Sequence, residues 1–131
     1  MGKRKSLFQR FQKECETSDD HFDPDLKSHY YKASFDKVYD AVLEMFEKDE
    51  NFKVVTASKE RGEIAVNMTL RPKPFIVATV VQVRPFETAV DFMVSSEKFS
   101  LTGIYPALKR VVLQLFRRLD QKLPYIGPKK G

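Results

Sequence analysis

From Phe35 onward, apolar residues recur at helical spacing. Val38, Val42, Met45 and Phe46 follow Phe35 on one stripe, and polar residues fill the other positions. Ser34 stands where an N-cap belongs, and Asp36 falls in the first turn, where it meets the helix dipole. The pattern predicts a helix over 35–48. Beyond it the period changes from helical to two. Strand-like runs cover 52–58, 63–70, 75–84 and 87–95. Ile64, Val66, Met68 and Leu70 alternate with Glu63, Ala65, Asn67 and Thr69, and Thr88, Val90, Phe92 and Val94 alternate with Glu87, Ala89, Asp91 and Met93. The run 75–84 is the richest in valine. From Ser100 the helical period returns. Ile104, Leu108, Val111, Leu115 and Leu119 form its stripe, widened by Val112, Phe116 and Leu123. Thr102 or Gly103 can cap this helix, Pro106 suits its first turn, and Pro124 stops it. The run 29–33, with Tyr30 and Tyr31, predicts a short strand ahead of the first helix.

The strand connections are short: Glu60-Arg61-Gly62, Arg71-Pro72-Lys73-Pro74 and Pro85-Phe86. Loops of this length force antiparallel hairpins, because a parallel crossover needs a dozen residues or more. With Gly62 in the left-handed position, Val54 faces Met68 and Thr56 faces Val66. Pairing Leu70 with Phe75 sets Met68 opposite Val77 and Val66 opposite Thr79. Pairing Arg84 with Glu87 sets Val81 opposite Val90 and Thr79 opposite Phe92. These registers agree on one apolar face. The expected fold is α+β: a four-stranded antiparallel meander with room for a short fifth strand, and two helices on one face, in the order β-α-β-β-β-β-α. On these registers Val81 points into the core and Val80 to the open face. The open face then carries a candidate interaction surface of Ile76, Ala78, Val80 and Met93 with Ala65 and Ala89, suited to a protein partner or a second copy.

Charge changes the picture at the ends. Residues 1–13 hold five Lys/Arg and no acid, and residues 101–131 hold seven Lys/Arg and one Asp. The net charge of +5 therefore leaves −6 for the middle of the chain. Leu7, Phe8, Phe11 and Cys15 recur at helical spacing among the N-terminal cations, and an acidic stretch ending Asp23-Pro24-Asp25 reads as a linker. The organisation expected is a basic N-terminal segment with an acidic linker over 1–27, one domain over 28–124, and a basic tail over 125–131. Lys3, Arg4, Lys5, Arg10, Lys109, Arg110, Arg117, Arg118 and Lys122 are candidate contacts for an anionic partner, membrane or nucleic acid. The start Met1-Gly2-Lys3-Arg4-Lys5-Ser6 also fits the short pattern for N-myristoylation. No apolar run approaches the ~20 residues of a membrane span, and polar residues break the basic start before a signal peptide's apolar region develops. With a single cysteine, Cys15, the expectation is a cytoplasmic protein.

Three stretches bear a resemblance: Ala33-Ser34-Phe35-Asp36-Lys37-Val38-Tyr39-Asp40-Ala41-Val42, Arg61-Gly62-Glu63-Ile64-Ala65, and Thr88-Ala89-Val90-Asp91-Phe92-Met93-Val94-Ser95-Ser96 ahead of the last helix. Together they resemble a bacterial family of small uncharacterised α+β domains, a domain of unknown function. The likeness spans about 29–120. It implies the fold and transfers no site, and the family's Asp/Gly/Asn-rich turn is replaced here by Ser100-Leu101-Thr102-Gly103-Ile104-Tyr105.

Chemical motifs are sparse. The histidines are His21 and His29, eight positions apart and without the spacing of a zinc site. Asp19, Asp20, Asp23 and Asp25 lack the glycine of a calcium loop. There is no Gly-x-Ser-x-Gly elbow and no glycine-rich phosphate loop. The expectation is no cofactor, no metal and no enzyme. The chain reads as a non-enzymatic binding or protein-interaction module. The alternative is a peripheral binder of anionic partners through its basic ends.

Overall fold

The computed structural model describes residues 13–97 and 103–128. The Ser34 hydroxyl accepts a hydrogen bond from the Lys37 N–H at 3.2 Å and opens helix α1, Phe35–Glu47. The chain then runs through β3 (Phe52–Ser58), β4 (Glu63–Met68), β5 (Phe75–Arg84) and β6 (Glu87–Ser95) into α2 (Tyr105–Lys122). Two short strands precede α1, β1 (Glu14–Glu16) and β2 (His29–Tyr31), and β7 (Tyr125–Gly127) follows α2. The sheet order is β3-β4-β5-β6-β2-β7, every pair antiparallel, with β1 pairing on β6 beyond the end of β2. Seven strands replace the four-stranded meander expected from the sequence, though the α+β class and the antiparallel sheet stand.

β1 and β2 are two pieces of one strand laid along β6. The stretch between them loops out and holds a short 3-10 turn, Pro24–Leu26, capped by the Asp23 carboxylate on the Asp25 N–H. Cys15 and Leu26 are fully buried. Cys15 therefore sits in a strand opposite Val94, not on the helix its spacing with Phe11 predicts. Similarly, 125–127 form an edge strand where a tail was expected. The Lys32 N–H donates to the Pro124 carbonyl at 2.8 Å and starts this pairing.

Helix α1 lies against β3 and β5, and α2 against β6 and β1. Val42, Met45 and Phe46 of α1 share one core with Leu108, Val112, Leu115 and Leu119 of α2. The sheet contributes Ile64 and Val66 from β4, Ile76, Ala78 and Val80 from β5, and Val90, Phe92 and Val94 from β6. Each large side chain so buried stabilises the fold by roughly 1.5–3 kcal/mol.

The β4 and β6 faces agree with their alternation, but β5 is turned over. Asn67, not Leu70, pairs with Phe75, so the β4–β5 turn is longer than its sequence suggests. At the other end Arg84 does pair with Glu87, but a bulge between Gln82 and Arg84 shifts the rest of the ladder by one. Each change reverses the parity of β5 against its neighbour, and together they leave β4 and β6 facing correctly. Ile76, Ala78 and Val80 are thus core residues, 0–2% exposed, and do not belong to an interaction face. Val77, Thr79 and Val81 take the open side in their place. A second bulge, at Val55 in β3, moves Thr56 opposite Ala65 and puts Val54 opposite Val66.

Gly62 fastens the β3–β4 turn to β5. Its φ is +70°, and its carbonyl accepts from the Val80 N–H at 2.7 Å. A Cβ there would stand 2.3 Å from the Val80 carbonyl oxygen, so glycine is required both for the turn and for the close approach.

Candidate functional site: the open face of the sheet

Strand pairing lays the uncovered face out in rows. Val81 stands beside Ala89 and Tyr30. The next row is Glu63, Thr79 and Asp91, followed by Ala65, Val77, Met93 and Glu16. The last is Lys53, Asn67, Phe75, Ser95 and Glu14. β5 supplies an apolar column down the centre, in which Phe75 is 38% and Val81 48% exposed. Val83, in the bulge, is also exposed. Of the residues expected to form an interaction face, Ala65, Ala89 and Met93 do lie here. Ala65 and Met93 are half-buried and Ala89 is buried beside Tyr30.

Shallow clefts mark two ends of this face. One, of about 610 Å³, lies among Tyr30, Val83, Ile126 and Pro128, with Asp19, Arg84 and Glu87 at its rim. The Tyr30 hydroxyl donates to the Asp19 carboxylate at 2.9 Å, and burial followed by that bond pushes its pKa up to about 12. The other cleft, of about 560 Å³, is bounded by Asn67, Lys73, Phe75, Ser95, Ser96 and Glu97.

Carboxylates flank the apolar column. Glu87 pairs with Arg84 at 3.7 Å. Asp91 accepts from the Thr17 hydroxyl at 2.6 Å and from the Ser28 hydroxyl. Burial raises the Asp91 pKa, and the two hydroxyls only partly oppose it. These bonds close the gap between β1 and β2. Thr17 also accepts from the Phe92 N–H through its hydroxyl and donates its own N–H to the Phe92 carbonyl. Glu14, Glu16 and Glu63 form no ion pair among the described residues.

The cations expected to meet an anionic partner are largely engaged inside the molecule. Lys109 binds Asp23 at 2.7 Å and Asp25 at 3.4 Å, Arg118 binds Asp49 at 3.0 Å, and Lys122 reaches Glu44 at 3.7 Å. Arg110 and Arg117 are exposed on α2. Lys3, Arg4, Lys5 and Arg10 lie outside the described residues.

A cluster that sequence spacing does not reveal forms under β7. His29 Nδ1 and the Tyr31 hydroxyl both meet Asp120 Oδ1, at 3.0 and 2.7 Å. The imidazole is sandwiched between Phe116 and Tyr125, with ring centroids 3.7 and 4.5 Å away. An Asp–His pair can orient a general base. Here, however, no hydroxyl or thiol bonds to the other ring nitrogen among the described residues. The stacking makes the cluster a clamp on β7. The Cys15 thiol lies in the core, where burial raises its pKa and the Tyr105 hydroxyl only partly offsets this, so it is a poor nucleophile. Among the described residues no three His, Cys, Asp or Glu side chains stand close enough to share a metal ion, and no helix is long and apolar enough to cross a membrane.

Compared with known proteins, the chain matches no protein-family model, and no curated protein is similar to it in sequence.

Proposed function

We propose that this chain is a protein-interaction module that works without catalysis and binds its partner through the open face of the sheet. One observation carries the reading. The helices cover one face of β5, while the other face leaves Phe75, Val81 and Val83 in contact with solvent, 38–48% exposed, beside half-buried Val77 and Met93. A continuous apolar strip on a rigid sheet is the usual mark of a contact surface. The carboxylates beside it select for a cationic rim on the partner. The binding of anionic partners loses support on α2, because Lys109, Arg118 and Lys122 are already neutralised by acids of the same molecule.

The test compares capture from native extract by wild type, by Val81→Asp, and by Arg110→Glu with Arg117→Glu. A bound species lost with Val81→Asp, at unchanged thermal midpoint, and kept with the arginine variant supports the reading. A species kept with Val81→Asp, but released by high salt and by the arginine variant, transfers the function to an anionic partner.

A further inference from the structure

We propose that the open face is occupied, in the free protein, by residues 1–12 of its own chain, coiled as a short basic amphipathic helix. The inference rests on the open face being the binding surface and names what covers it before a partner arrives.

Three observations converge. The first is charge. Residues 1–13 carry five cations and no acid, whereas the edge of the face nearest β1 presents Glu14 and Glu16, with Glu63 across the sheet. None of these three carboxylates has an ion-pair partner among the described residues. Lys53 and Lys73 stand toward the β3 side, so a basic segment is drawn toward β5, β6 and β1.

The second is shape. Leu7, Phe8 and Phe11 share one side of a helix. Twelve helical residues span about 18 Å, and the apolar column from Phe75 to Val81 is about 20 Å long. The three apolar side chains therefore match a strip of the same length.

The third is the tether. The Lys13 carbonyl accepts from the Ser96 N–H at 2.7 Å, and Glu14 pairs with Ser95, in the row that contains Phe75. The segment thus leaves the sheet at one end of the apolar column. A connection this short sets an effective concentration in the millimolar range. Weak contacts suffice to hold the segment, and a partner with a stronger cationic, apolar element displaces it.

The experiment uses the full chain with a nitroxide spin label on Ser6→Cys. Cys15 is fully buried and stays unlabelled. The amide signals of Val77, Val81 and Met93 are expected to broaden, while those of Val112 and Leu115, on the other side of the sheet, are spared. Replacing Glu14, Glu16 and Glu63 by lysine should abolish the broadening and leave the spectrum of the core intact, since all three are exposed. Unbroadened open-face amides overturn the inference, as does broadening that the lysine variant retains. Broadening that transfers between labelled and unlabelled molecules shows a second copy on the face and also overturns it. If the open-face amides stay sharp and the protein instead floats with vesicles of anionic lipid, the segment's partner is a bilayer. The binding surface itself is judged separately, by capture with Val81→Asp.

Discussion

Val80 and Val81 are neighbours in β5 and chemically identical, yet one is 2% and the other 48% exposed. The two sides of the sheet diverge from this pair outward. On the helix side, Ile76, Ala78 and Val80 interlock with α1 and α2, and apolar burial holds the fold. On the open side, Val77, Thr79 and Val81 make a surface of similar composition that no helix of the described residues covers. What separates structure from binding here is strand parity, not residue type.

The sharpest way to break the comparison is to place the same charge on each side. Val80→Asp buries an unpaired carboxylate and should cost about 3–5 kcal/mol, enough to unfold a domain of this size. Val81→Asp should change stability by less than about 1 kcal/mol. Urea denaturation of the two variants reads both numbers, and equal losses would mean that both sides are buried.

Gly62→Ala should come next, at about 1–3 kcal/mol, because its φ of +70° resists a side chain and the new methyl would meet the Val80 carbonyl. It acts on the turn that registers β4 against β5, and a melting curve measures it.

His29→Ala should cost about 2 kcal/mol through lost stacking and a lost bond to Asp120. Faster hydrogen exchange at the Lys32 amide, which bonds to Pro124, would localise the damage to β7. Unchanged exchange there would show that the cluster does not clamp the strand.

The smallest effect depends on pH. Burial alone would raise the Asp23 pKa, but Lys109 and the Asp25 N–H outweigh it and hold the carboxyl below its usual range. An acid depressed in the folded state adds stability above its unfolded pKa, near 3.9, and loses it as pH falls through the folded value. Lys109→Met should therefore cost about 1 kcal/mol at neutral pH and progressively less under acid. A cost that stays constant into strong acid would show that packing of the lysine stem, not charge, is what is lost.

Much of this architecture is legible in the chain. The stripe from Phe35 to Phe46 fixes α1 and its cap at Ser34, and the alternation of Ile64 and Val66, and of Val90, Phe92 and Val94, assigns the right sides of β4 and β6. β5 resists the same reading because Ile76, Ala78 and Val80 are scarcely more apolar than Val77, Thr79 and Val81. A central strand apolar on both sides carries no parity of its own. Its side is set by the length of the turn before Phe75 and by the bulge near Val83, neither of which leaves a strong sequence signal. β1 and β7 are hidden for a different reason: three-residue strands are too short to show a period, and their pairing is secured by remote groups such as Asp91, Asp120 and Pro124. The open face was legible as a binding surface through Met93, Ala65 and Ala89, and misread through the three β5 residues.

The most direct test of the central claim, that β5 presents Val81 and not Val80 to a partner, is native-state thiol labelling of Val81→Cys and Val80→Cys in the full chain. Cys15 is buried, with its pKa raised by burial, and supplies a silent background. The account predicts that Val81→Cys reacts at least about 100-fold faster than Val80→Cys, which must wait for local unfolding. Equal rates, or faster labelling at Val80→Cys, would contradict it.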